Sequence, residues 1–450
     1  MTDKAQRTQE DILAAVKEVE KEAAGGAEAL LMAAMLAETP LPYDFALSIE
    51  GTPHNPSLIN PAAAFFAATA TIDPLVTRDL IKIDADDQIY QLHDDVRETL
   101  RTSMSTEKKI EWAGRAIYAL NLVLPDAEPQ HWHTVEWLMP HILACRDLVL
   151  ELEVHTAAAN RVLHQAGFSL YHQQRYREAA ELLDIALTVD VGLKGKQHPD
   201  ISIDLEGLGS VLWAGGDYLR AEAAFAGCYE LQKEIYTEDN LVTAPILNSL
   251  AVVRQSLGKF DEAEETFKEC LRVLTSAHGE GHPSIASCLS NMALLYEAMG
   301  RPEDALNLAE RSLEINRTTF GDAHPEVAAD LNTVALLNDA LGNAEAAEKH
   351  FRDSLGVREE VYGKDHPETA QSLCNLALFL DNADQDAEAV QLYEKGLAAY
   401  EASLGPSHPL MESALDNYIM LLEKTGGRPA SDTLRELTEA KLRQIVERAK

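Results

Sequence analysis

The sequence predicts an all-α protein: a right-handed α-solenoid of about seven 42-residue helix pairs, preceded by a small winged-helix-like helical domain. Three observations carry this. His-Pro pairs stand at 198, 282, 324, 366 and 408, the last four at a constant step of 42 residues. Glycines at 216, 258, 300, 342 and 426 keep that step, with Asp384 in the interrupted place. Between these columns Leu247, Leu250 and Ala251 have the i, i+3, i+4 spacing of one helical face, and Leu289, Met292 and Ala293 repeat it one period later.

In chain order, residues 1–25 read as an N-terminal helix and 26–105 as the winged-helix-like domain. Here "ALLMAAMLAETPLP" predicts an apolar helix stopped by proline, and "LIKIDADDQIYQLH" predicts two short strands around an Asp-Asp turn. "DDVRETLRTSM" returns to helix, and Pro40, Pro42, Pro53, Pro56 and Pro61 punctuate the stretch. Residues 106–155 read as a helical linker. Residues 156–450 are the repeat array, closed by "SDTLRELTEAKLRQIVERAK", whose charge suits a capping helix.

Each repeat needs a turn, a close contact and a start signal. The glycine column supplies the turn between helix A and helix B, where a left-handed residue is required. Alanines at 179, 221, 263, 305, 347 and 389 let the two helices approach, and Leu183, Phe225, Phe267, Phe351 and Tyr393 fill the space behind them. Helix B then ends at Gly195, Gly279, Gly321, Gly363 or Gly405, and proline opens the next helix. The recurring histidine therefore falls at or next to an N-cap, where an acceptor satisfies unpaired amides. Equivalent copies a whole repeat apart cannot converge on one metal or substrate, so this histidine shapes backbone.

Composition narrows the function. With 38 Lys and Arg against 74 Asp and Glu, the formal charge of −36 repels nucleic acid and anionic lipid and favours a neutral or basic partner. Asp86, Asp87, Asp94 and Asp95 stand where a DNA-reading helix would need Lys and Arg. No apolar run reaches the roughly 18 residues of a membrane span. The start, "MTDKAQRTQEDILAAVKEVEKE", lacks the apolar core of a secretory signal, so the cytoplasm is the expected compartment. Cys145, Cys228, Cys270, Cys288 and Cys374 form no CxxC pair and read as buried thiols. His131, His133 and His141 cluster, but His131 and His133 point to different sides of a helix and no further ligand completes a zinc pattern. There is no GxxxxGK[ST], GxSxG or HExxH; "GLKGKQ" lacks the phosphate-loop spacing, and Cys270 and Cys374 have no paired base. The expectation is a protein without catalytic residues, metal or cofactor.

The segments "LNSLAVVRQSLGKFDEAEETFKECL", "LSNMALLYEAMGRPEDALNLAERSL" and "LCNLALFLDNADQDAEAVQLYEKGL", with endings such as "YGKDHPETA", resemble the kinesin-light-chain type of tetratricopeptide repeat over about residues 156–450. No long heptad region precedes them, so a motor subunit is not implied. The N-terminal order resembles the winged-helix part of STAND (NB-ARC-like) signalling ATPases, without the ATPase module. That resemblance matches a Met-His-Asp type motif to Leu92, His93 and Asp94 and a helical linker to "WHTVEWLMPHILACRDL". It implies a vestigial nucleotide sensor at His93 and Asp94, against the plainer reading of His93 as a buried, hydrogen-bonded histidine. It also implies an alternative function: the regulatory subunit of a signalling or defence system whose ATPase, protease or nuclease is a separate chain.

The leading expectation is a non-enzymatic scaffold or sensor whose concave groove takes a neutral or basic peptide. In helix A the stripe beside the buried one holds Asn248, Val252 and Gln255, then Leu294 and Glu297, Asn332, Leu336 and Asp339, Leu378 and Asp381, and Glu423. Asn291, Asn375 and Asn417 occupy the adjacent column. The resemblance implies that such asparagines hydrogen-bond the backbone of an extended peptide; the competing reading of Asn291, Asn375 and Asn417 is that they tie neighbouring repeats. Val252, Leu294, Leu336 and Leu378 would be the apolar anchors. Glu297, Asp339, Asp381 and Glu423 stand where capture of a terminal carboxylate would need Lys or Arg.

Overall fold

The computed structural model describes residues 7–47, 70–236, 241–404, 409–429, 434–439 and 441. Pro53, Pro56, Pro61, Asn240, Gly405, His408 and most of the final segment lie outside the described residues. The chain forms two compact units, Met1–Thr237 and Glu238–Lys450.

The first unit begins with α1 (Gln9–Glu22), where a Thr8–Asp11 capping box closes the N-terminus. The apolar helix expected before the prolines is α2 (Ala24–Met35). After β1 (Leu41–Pro42), α3 (Tyr43–Leu47) and the helical residues 70–77 (α4) come the hairpin strands β2 (Ile81–Asp84) and β3 (Ile89–Leu92) and then α5 (Asp94–Ser103). Strands β2 and β3 pair antiparallel with Ile81 opposite Leu92 and Asp84 opposite Ile89. The strand β1 is new: Leu41 pairs with Tyr90, giving the order β1-β3-β2. Pro42, read as a helix breaker, lies in this edge strand, a place where a residue without N–H is tolerated. Two arginines of α5 hold the end of α2: Arg97 donates to the carbonyls of Ala33 at 3.0 Å and Leu36 at 2.6 Å, and Arg101 to that of Met35 at 3.1 Å. Cations at a helix C-terminus meet the negative end of its dipole. The linker is α6 (Thr106–Val123) and α7 (Trp132–Leu152).

Tandem repeats follow, and the protein is an all-helical solenoid apart from the small sheet. Repeats 1 and 2, in the first unit, pair α8 (Ala157–His172) with α9 (Tyr176–Lys194) and α10 (Pro199–Ala214) with α11 (Tyr218–Ile235). The second unit contains α12 (Thr243–Ser256) with α13 (Phe260–His278), α14 (Pro283–Ala298) with α15 (Pro302–Phe320), α16 (Pro325–Ala340) with α17 (Ala344–Tyr362), and α18 (Pro367–Asn382) with α19 (Asp386–Leu404). A seventh repeat opens with α20 (Pro409–Thr425), against which the helical residues 434–439 bring the buried Leu434.

Packing follows the columns. Ala221, Ala263, Ala305, Ala347 and Ala389 are each 0% exposed, and Phe267, Phe351 and Tyr393 behind them are no more than 2% exposed. Burying one such aromatic contributes about 1.5–3 kcal/mol. The A/B turn needs a positive φ, which Gly258 takes at 73°; where the glycine column is broken, Asp384 takes the same conformation at 58°. Asp is among the few non-glycine residues that visit this region readily.

The histidine column caps helices. Nδ1 of His198, His282, His324 and His366 accepts the N–H of Asp200, Ser284, Glu326 and Glu368, each at 3.2 Å. Each of three rings also stacks on the last aromatic of the preceding helix B: His282 on His278 at 3.9 Å, His324 on Phe320 at 4.2 Å and His366 on Tyr362 at 4.4 Å. The histidine thus fixes helix A at its first amides and locks it to the helix before it.

Candidate peptide-binding face

The candidate side chains sit on the A helices of the second unit. One position per repeat, beside the buried stripe, is Val252, Leu294, Leu336, Leu378 and Met420. Val252 is half-buried, but Leu294, Leu336, Leu378 and Met420 are 46%, 44%, 40% and 59% exposed. Four consecutive equivalent positions therefore keep a large apolar side chain in water, where burial would be favoured. Met420 was not singled out from the sequence, although a step of 42 from Leu378 reaches it.

One helical turn further on come Gln255, Glu297, Asp339, Asp381 and Glu423. Glu297, Asp339 and Glu423 are exposed and enter no ion pair among the described residues. Asp381 differs from the expectation of a carboxylate open to a ligand. Lys424 Nζ lies 3.0 Å from Asp381 Oδ1, 3.2 Å from Asp384 Oδ1 and 2.8 Å from Asp386 Oδ1, and donates to the Asp381 carbonyl at 3.1 Å. Asp386 and Asp381 hold this ammonium well above the usual lysine range. The lysine went unnoticed because its column has no charge in the other repeats.

The asparagines meet one another. Asn291 Nδ2 donates to Asn248 Oδ1 at 3.1 Å, and Asn375 Nδ2 donates to Asn332 Oδ1 at 2.9 Å. Of the two readings open for Asn291 and Asn375, the tie between repeats describes this geometry, and it extends to Asn248 and Asn332. An amide that spends one lone pair in this way keeps two N–H donors and a second lone pair. Asn417 is half-buried on α20 beside the Tyr393 hydroxyl.

The remaining candidates are held by the chain itself. Nε2 of His93 lies 3.5 Å from Asp79 Oδ1, and Arg7 donates to the Asp79 carbonyl and to both Asp95 carboxylate oxygens, at 3.0 and 2.9 Å. Burial pulls the His93 pKa down against the pull of Asp79. Asp94 is exposed at the first position of α5. His131, His133 and His141 are not brought together: His141 is buried, with Nε2 3.0 Å from both Thr39 Oγ1 and the Pro40 carbonyl, while His133 is exposed. Burial pushes the His141 pKa down to about 4. Among the described residues no group of three or more His, Cys, Asp or Glu is placed to hold a metal. Four cysteines are buried and Cys374 is half-buried; burial raises the thiols of Cys228 and Cys374 to about 12, far from a nucleophile's range. A cleft of about 800 Å³ in the first unit, lined by Met32, Tyr118, Arg115 and Arg161 among others, has its arginines engaged by Glu28, Glu111, Asn121 and Asp126.

Tandem helix pairs with an exposed, repeating face define an α-helical repeat solenoid. The chain belongs to the tetratricopeptide repeat family, whose model matches residues 158–234, 242–318, 292–360 and 327–402, more than half of its length. Among solved structures it is similar to BtubC (BKLC) of P. vanneervenii, at 18% identity over 52% of this chain and 93% of that one, with a TM-score of 0.44. It is also similar to a Podosopora anserina protein described as a kinesin light chain with nearly identical repeats, at 20% identity over 44% and 94% of the two chains, TM-score 0.41. A STAND protein with a tetratricopeptide repeat sensor from Pyrococcus horikoshii aligns with 100% of this chain and 67% of its own, at 13% identity and TM-score 0.48. No curated protein sequence matches significantly. Tetratricopeptide repeat proteins are in general protein-interaction scaffolds. Among the described residues no helix is long and apolar enough to cross a membrane.

Proposed function

We propose that this chain is a non-enzymatic scaffold that binds a neutral or basic protein segment along the A-helix face of Glu238–Lys450. The single observation that carries the reading is the row Leu294, Leu336, Leu378 and Met420, which folding alone leaves in water at 40% exposure or more. The flanking Glu297, Asp339 and Glu423 set the partner's charge: like charges brought there would repel, whereas Lys or Arg would be drawn in and would lose affinity as salt is added. The domain reading retained for the N-terminal residues 26–105 is a winged-helix-like unit, supported by the order of apolar helix, β hairpin and α5; there His93 and Asp94 serve structure rather than nucleotide sensing. The test is affinity capture from the native host with the wild-type chain and with a Leu336→Glu, Leu378→Glu variant, followed by mass spectrometry. A neutral or basic protein present with the first and absent with the second supports the reading. Recovery of the same proteins with both places the binding surface elsewhere.

A further inference from the structure

We propose that the segment bound on this face is a polyproline-II strand with an apolar residue at every third position and Lys or Arg between them, an inference that rests on the function proposed above.

The direct amide contacts between Asn291 and Asn248 and between Asn375 and Asn332 bring A helices of neighbouring repeats within side-chain reach of each other, which sets their separation at about 10 Å, the upper end for neighbouring helices. Leu294, Leu336, Leu378 and Met420 occupy the same position on successive A helices, so a ligand crossing them meets one apolar contact at about that interval. A polyproline-II strand advances about 3.1 Å per residue with three residues per turn, so positions i, i+3 and i+6 share one face and recur at about 9 Å. A β-strand has the length but not the phase, because its side chains alternate and i and i+3 point to opposite faces.

An α-helix could match the interval with anchors about seven residues apart at 1.5 Å per residue. The asparagine pairs decide against it. A helix satisfies its own backbone, whereas a polyproline-II strand has no internal hydrogen bonds and offers every carbonyl and non-proline N–H outward. Each Asn pair retains donors and a lone pair after tying its two repeats. The pairs join repeats 3 to 4 and 5 to 6, two repeats apart, so their backbone contacts fall about six ligand residues apart. Charge adds a second row: Glu297, Asp339 and Glu423 lie one helical turn from Leu294, Leu336 and Met420 on the same helices. They therefore line one side of the crossing ligand, toward which one of the two residues between successive anchors points.

The experiment is selection of random displayed peptides of about 16 residues, long enough for four anchors three apart, on the full wild-type chain. Selected peptides are then sorted by whether the Leu336→Glu, Leu378→Glu chain also retains them. The expected peptides are those that lose about tenfold or more in affinity for the variant, carry apolar residues at i, i+3 and i+6, are enriched in proline and have net positive charge. Variant-sensitive peptides with apolar spacing of two, or of three and four alternating as in a helix, overturn the polyproline-II assignment and leave the binding face standing. Absence of any variant-sensitive peptide overturns the binding face and the inference together. Circular dichroism of the variant, unchanged because both leucines are exposed, confirms that the comparison is between folded chains.

Discussion

Asn375 donates from Nδ2 to Oδ1 of Asn332 at 2.9 Å across the junction of the fifth and sixth repeats. Both side chains are half-buried and sit next to the exposed Leu336 and Leu378, so one amide pair serves packing and borders the proposed binding face. Replacing either residue with alanine leaves the other amide without its partner. A double-mutant cycle over Asn332→Ala and Asn375→Ala should give a coupling of about 0.5–1.5 kcal/mol in urea unfolding. Additivity of the two variants would show that the bond does not join the repeats.

Ala263 lies at the contact of α12 with α13 and is 0% exposed. Ala263→Leu adds three carbons at a close approach and should cost about 1–3 kcal/mol by overpacking. An unchanged melting temperature would refute the A/B contact assigned to this column.

His366 should behave as a cap. His366→Ala removes the acceptor for the Glu368 N–H and the stack on Tyr362, at a cost of about 0.5–2 kcal/mol. His366→Asn restores an acceptor without the ring and should recover part of that loss. Equal melting temperatures for wild type and both variants would remove the structural role of this histidine.

Asp330 gives a pH dependence. Its carboxylate is buried and accepts from Ser290 at 2.8 Å, Ser312 at 3.0 Å and Asn316 at 2.7 Å, with no cation among these partners. Burial raises its pKa and the three hydrogen bonds only partly offset that. The folded chain therefore holds this proton to higher pH than the unfolded chain, so the stability it contributes is present at low pH and lost as pH rises through the folded-state pKa. Asp330→Asn should flatten the fall in stability from about pH 4 upward, because the hydroxyls can turn to accept from the new amide. Urea midpoints against pH for both chains check this; parallel curves contradict it.

Lys424→Ala should leave folding nearly intact, since the lysine is an exposed partner. It would release Asp381, Asp384 and Asp386 beside the apolar row, so a selected basic peptide should bind severalfold more tightly. Weaker binding would mean that Lys424 itself contacts the ligand.

The repeat was legible because it is one-dimensional: a residue type recurring at a fixed step fixes the helix pair, its turn and its cap without knowledge of distant contacts. Hence Ala263, Gly258 and His366 were placed by spacing alone. The pairing of Asn248 with Asn291 was less legible because it joins neighbouring columns of different repeats, offset by 43 residues rather than 42. The capture of Asp381 by Lys424 was hidden for the same reason, since a single lysine in an otherwise uncharged column leaves no periodic trace. The strand Leu41–Pro42 was missed because two residues give no alternation, and only the tertiary position of β3 makes them a strand.

The central claim is that the exposed leucine row of the A helices is the binding surface. Its most direct test is the affinity of one selected peptide, by calorimetry, for the wild-type chain, for Leu336→Glu, Leu378→Glu, and for Leu219→Glu as a still more exposed leucine outside the row, 69% accessible on α11. The account predicts a loss of about tenfold or more, roughly 1.4 kcal/mol, for the double variant and no change for Leu219→Glu. Full affinity for the double variant, or a loss confined to Leu219→Glu, would contradict it.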